Sequence, residues 1–65
     1  MKRFEEQDQN ETRDALLIQI EAAKHTVSLG LLEVRVARHY KAGTITADQL
    51  AELDGRIMER LSEFS

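Results

Sequence analysis

The chain has no cysteine, no proline and no tryptophan, and only three glycines, two phenylalanines and one tyrosine in 65 residues. Without cysteine there can be no disulfide and no thiolate zinc site. Without proline, and with little glycine, the abundant Ala, Leu, Glu, Arg and Gln favour helix throughout. No run approaches the 18 or so apolar residues of a membrane-spanning helix, and the acidic N-terminal region lacks a signal-peptide pattern. The expected location is therefore cytoplasmic. Also missing are a glycine-rich phosphate loop and a nucleophile–base–orienter set; Ser28 stands three residues after His25 with no acid to orient it. A non-enzymatic role is expected, without cofactor or metal: His25 and His39 lie ~21 Å apart on a helix, too far to converge on one ion.

What is present is helical patterning. Residues 1–8 read as a frayed segment of a single domain spanning 1–65, and Asp8 with Glu11 has the spacing of a capping box. Apolar periodicity then runs over residues 15–40. The "KAGTIT" stretch ends it, because Gly43 can take the left-handed conformation that closes a helix. A second start follows. Thr46 is the N-cap candidate, Gln49 its capping-box partner, and Ile45 with Leu50 has the spacing of a hydrophobic staple. Leu50, Leu53, Ile57, Leu61 and Phe64 then form one apolar stripe, with Glu52 and Arg56 spaced for an i,i+4 pair.

The stretch "KHTVSLGLL", residues 24–32, poses the main question. Thr26, Val27, Ser28 and Gly30 are poor helix formers, yet two apolar stripes pass through it. One is Leu16, Ile20, Ala23, Val27, Gly30, Val34 and Ala37. The other, about 200° away, is Ile18, Ala22, His25, Leu29, Leu32, Val36 and His39. Neither slips in phase, and no Asn, Asp or Pro marks a connector. The expectation is an all-α antiparallel two-helix hairpin, with a long helix over about 11–41 and a shorter one over about 47–63. Val34, Leu31 and Val27 would then face Asp54, Ile57 and Leu61, with Gly30 allowing close backbone approach. The rival is a three-helix monomer bent near residues 26–30, with the first segment folded back.

A 30-residue helix is ~45 Å long, against ~26 Å for its partner. Its uncovered half would expose Leu16, Leu17, Ile18 and Ile20, and exposed apolar surface of that extent marks an interaction site. A homodimer forming a four-helix bundle follows. The expected interface is Leu16, Leu17, Ile18, Ile20, Ala22, His25, Leu29, Leu32 and Val36.

Charge is unevenly spread. The net value is −3, residues 24–43 carry +3, and each flanking segment carries −3. The plain expectation is that the basic middle pairs with its acidic neighbours. The alternative is a small DNA-binding regulator using Arg35, Arg38 and Lys41, although the net acidity argues against nucleic acid.

The segment "KAGTITADQLAELDGRIMERL" resembles the short C-terminal oligomerisation (SHOCT) family, a helical hairpin with a Gly-x-Ile-Thr turn. Within the resemblance, over residues 36–61, Gly43, Ile45 and Thr46 match the turn, and Leu50 and Ile57 match apolar positions. Gln49 and Asp54 depart from the acid and base usual there. The resemblance implies self-association and protein contacts. In size and composition the chain is also similar to small phage-encoded inhibitors of the anti-CRISPR or anti-quorum-sensing type. That likeness implies an inhibitor that occludes a partner protein, such as a host transcription factor or a defence complex.

Overall fold

Three helices of equal length make up the chain: α1 over Glu6–Ala22, α2 over Thr26–Ala42 and α3 over Ala47–Glu63. The structure, a computed structural model, describes the backbone of residues 6–64 and the side chains of residues 8–64. No strand occurs among the described residues. The expected frayed segment lies partly outside them; residues 6–8 are helical, so Asp8 sits inside α1 and is not its cap.

Side-chain pairs fix the helix directions. Gln49 Nε2 donates to Asn10 Oδ1 at 2.8 Å, Arg13 to Glu52 at 2.8 Å and Arg56 to Glu21, so α1 and α3 run parallel. Gln9 reaches the Gly43 carbonyl at 3.2 Å and Arg35 reaches Gln19 at 3.2 Å, so α2 runs antiparallel to α1. The result is an up–down–up bundle.

The long helix expected over about 11–41 is therefore two helices, and the two-helix hairpin is replaced by three. The chain breaks at residues 23–25, just before the stretch of weak helix formers. Its consequence is a change of inward face. Along α1 the first stripe is buried, through Leu16, Ile20 and Ala23; along α2 the second stripe is buried, through Leu29, Leu32 and Val36. Together with Ile45, Leu53 and Ile57 these form the core, with Leu17, Leu50 and Leu61 packed against it. Burying a large aliphatic side chain stabilises by about 1.5–3 kcal/mol. Each helical hydrogen bond given up at a turn is worth about 1 kcal/mol net. Folding back wins, provided the freed backbone groups find partners.

They do. Arg60, from the far end of α3, donates through Nη2 to the Ala23 carbonyl at 2.5 Å and through Nε to the Ile20 carbonyl at 3.4 Å. α1 has no basic residue in its own last turn, so a side chain 37 residues away satisfies the carbonyls that a helix C-terminus leaves open. On the other side of the turn His25 is extended, with φ −141° and ψ 150°, and serves as the N-cap of α2 without a side-chain cap bond. Its carbonyl accepts from Leu29 N–H at 3.3 Å.

The remaining junction follows the sequence closely. Gly43 adopts φ 81°, with Gly43 N–H on the Tyr40 carbonyl at 3.1 Å and Thr44 N–H on the His39 carbonyl at 3.0 Å, a complete Schellman closure. Thr46 and Gln49 form both halves of the capping box, at 3.1 and 3.0 Å. The Gln49 side chain is thereby consumed at both ends, which lets this polar residue be buried.

Candidate functional site

The break leaves half of each stripe outside. Ile18 on α1 is 69% exposed, and on α2 Val27, Leu31 and Val34 are 72%, 62% and 50% exposed. Residues 27, 31 and 34 lie one and two turns apart on a single outer side of α2. The expected contacts of Val34, Leu31 and Val27 with α3 are therefore not made, since Leu29, Leu32 and Val36 take the inward positions. Gly30 does not mediate close packing either, because nothing lies within 4 Å of where its Cβ would stand.

The residues expected at an interface divide accordingly. Leu16, Ile20, Leu29, Leu32 and Val36 are buried by the chain itself, so the uncovered surface anticipated there does not exist. Leu17 is half-buried, while Ile18, Ala22 and His25 are exposed. The last three belong to an outer face made by α1 and α2 on the side away from α3. An open groove of about 340 Å³ runs along it, lined by Ala22, Leu31, Leu32 and Arg35 among others. A second recess of about 420 Å³ follows toward the end of α2, between Arg35, Arg38, His39 and Ala42.

Charge on this bundle is sorted rather than mixed. The acidic helices pair with their own arginines. Arg13 bridges Asp14 at 2.6 Å and Glu52 at 2.8 Å, Arg56 holds Glu21 in a two-pronged grip and reaches Glu59, and Arg60 meets Glu63 at 2.5 Å. Glu52 and Arg56 do not pair with each other, because each has a partner on or along another helix. The hydrogen bonds from Arg56 hold the Glu21 carboxyl below its ordinary range, against the opposing effect of desolvation. Glu21 in turn raises Arg56, and Glu52 followed by Asp14 raises Arg13. The cations of the basic middle segment, Lys24, Arg35, Arg38 and Lys41, enter no ion pair among the described residues. The expected pairing of that segment with its acidic neighbours is thus not formed; Arg35 instead donates to the neutral Gln19.

The histidines have separate local roles. His25 caps α2 at the turn, and His39 is half-buried with Nδ1 2.7 Å from Thr44 Oγ1. Thr44 gives its own hydroxyl proton to the His39 carbonyl at 3.0 Å, so Nδ1 is the donor in that contact. Among the described residues no group of three or more His, Cys, Asp or Glu is placed to hold a metal ion, and no helix is long and apolar enough to cross a membrane.

Val27, Leu31 and Val34 were legible as apolar but assigned to the inside. Their exposure follows from the change of stripe at the break, and the signal for that break is the clustering of Thr26, Val27, Ser28 and Gly30. No protein family, curated protein or solved structure matches the chain.

Proposed function

We propose that the protein is a non-enzymatic protein-binding module that acts as a homodimer, a small inhibitor or regulator that works by occupying a surface of another protein. One observation carries the reading: Ile18, Val27, Leu31 and Val34, all 50–72% exposed, gather on the outer sides of two adjacent helices. A 65-residue domain places large aliphatic side chains in water at a cost in solubility, and contiguous apolar surface rimmed by charge is the usual form of a protein contact. Occlusion needs anchors held on a rigid frame and no reacting groups. The SHOCT-like turn and the phage-inhibitor-like size and composition point the same way.

The test is capture from the native host with tagged wild type and with Leu31→Glu, followed by titration of the recovered protein in purified form. The reading expects a protein that binds the wild type and is lost with Leu31→Glu. A second reading is favoured by the unpaired Arg35, Arg38 and Lys41, which could meet nucleic-acid phosphates. Duplex DNA titrated at about 50 and 200 mM salt separates the two, since phosphate contacts lose affinity steeply over that interval. Steeply salt-dependent DNA binding, with no protein recovered above the Leu31→Glu control, contradicts the protein-binding reading.

A further inference from the structure

We infer that the occupant of the α1–α2 face is a second copy of this chain, docked so that α1 of each copy lies antiparallel on α2 of the other. The inference rests on the protein-binding reading above and gives it a partner and a register.

Both helices carry an outer side that is polarised along its length. On α1, Glu11 and Asp14 come first, then Ile18 and Ala22, all exposed. On α2 the apolar residues Val27, Leu31 and Val34 come first, then Arg35, Arg38 and Lys41. The hairpin register is set by Gln9 on Gly43 and Gln19 on Arg35. It places Asp14 level with Arg38, Glu11 level with Lys41, and Ile18 and Ala22 level with Val34 and Leu31. Acid therefore stands beside base, and grease beside grease, at equal heights along the bundle.

A half-turn about an axis along the bundle exchanges α1 and α2 without changing height. Applied to a second copy laid face to face with the first, it sets Asp14 against Arg38 of the other copy and Ile18 against Val34 and Leu31, twice over by symmetry. The opposed helices are antiparallel, so their dipoles also attract. Stacking α2 on α2 brings Arg35 and Arg38 onto like charges, and stacking α1 on α1 brings acids together; both are disfavoured. The groove beside Ala22 and Leu31 receives the apolar side chains of the other copy. Asp14 is 61% exposed and accepts from Arg13 through one oxygen, leaving the other for a cation.

Sedimentation equilibrium of the purified protein tests this, with circular dichroism confirming that each variant stays helical. The wild type is expected at twice the 7.4 kDa chain mass. Asp14→Arg and Arg38→Asp each place like charges in both symmetric contacts and weaken the dimer by roughly tenfold or more. Ile18→Ser weakens it without a charge change. An equimolar mixture of Asp14→Arg and Arg38→Asp restores a dimer of one chain of each. A wild type that stays at 7.4 kDa up to millimolar concentration overturns the inference. So does a dimer indifferent to both reversals, or a mixture that fails to recover. Because only purified chain is used, any of these leaves the capture experiment to judge the wider reading by itself.

Discussion

Arg60 and Ala23 are joined by a 2.5 Å hydrogen bond across 37 residues, and this bond sits where α1 stops. The guanidinium also reaches the Ile20 carbonyl, stacks 5.3 Å from the Phe64 ring and pairs with Glu63. The end of one helix is thus written into the end of another. Arg60→Ala removes the donors to both carbonyls and should cost about 1–3 kcal/mol, the range for hydrogen bonds to a charged group. Lysine, which cannot fork, should restore only part of this. Urea denaturation midpoints of the three proteins check the order.

His25 occupies an N-cap without a side-chain bond. His25→Asp supplies an oxygen for the open N–H groups and a negative charge at the positive end of α2. It should stabilise by about 0.5–1 kcal/mol. If residues 24–32 ran through as one helix, the same change would bring no gain, since aspartate and histidine have similar interior propensities. Thermal melts of the two proteins decide between them.

Gly30 and Gly43 should respond in opposite directions. Gly30 is in a helix interior with open space around its Cβ position, so Gly30→Ala should stabilise by about 0.5–1 kcal/mol. Gly43 holds a positive φ, so Gly43→Ala should destabilise by roughly 1 kcal/mol or more. Chemical denaturation of both variants measures the signs.

Glu21 gives the fold an acid-sensitive tie. Its folded carboxyl titrates below the ordinary value of 4.5, chiefly through the Arg56 hydrogen bonds, so the native state binds fewer protons than the unfolded chain as that range is crossed. The contribution is complete above about pH 4.5 and is lost as pH falls through the lowered folded value. Glu21→Gln should flatten this part of the stability–pH curve and leave its neutral-pH limb parallel to wild type. Urea midpoints measured across the acid range read it directly.

Local chemistry was fully legible where the determinants are neighbours in sequence. Thr46 with Gln49, Ile45 before them, and Gly43 closing α2 needed only spacing, and α3 begins and ends where its apolar stripe does. The break before Thr26 was legible only as a tension between weak helix formers and unbroken phase. Phase prevailed in the sequence reading because both stripes extend through the turn. The deciding contact comes from Arg60, whose own neighbourhood marks it as a routine end-of-helix cation. The exposed face inherited that error. Val27, Leu31 and Val34 lie on the stripe that α1 uses for the core, and nothing near them announces that α2 has switched. The free cations were legible as a basic segment, but that the acids would be engaged by Arg13, Arg56 and Arg60 required the third helix in place.

The central claim is that the chain turns back at residues 23–25 and lays α1 alongside α2. With no native cysteine, a single spin label can be placed at Glu11→Cys on an isotope-labelled chain, diluted into excess unlabelled wild type so that only contacts within one chain are read. The account predicts strong paramagnetic broadening of the amides around Lys41, Gly43 and Thr44, beside which Gln9 already reaches the Gly43 carbonyl. Sharp, unbroadened signals there, as for a straight helix that holds residues 11 and 41 about 45 Å apart, would contradict it.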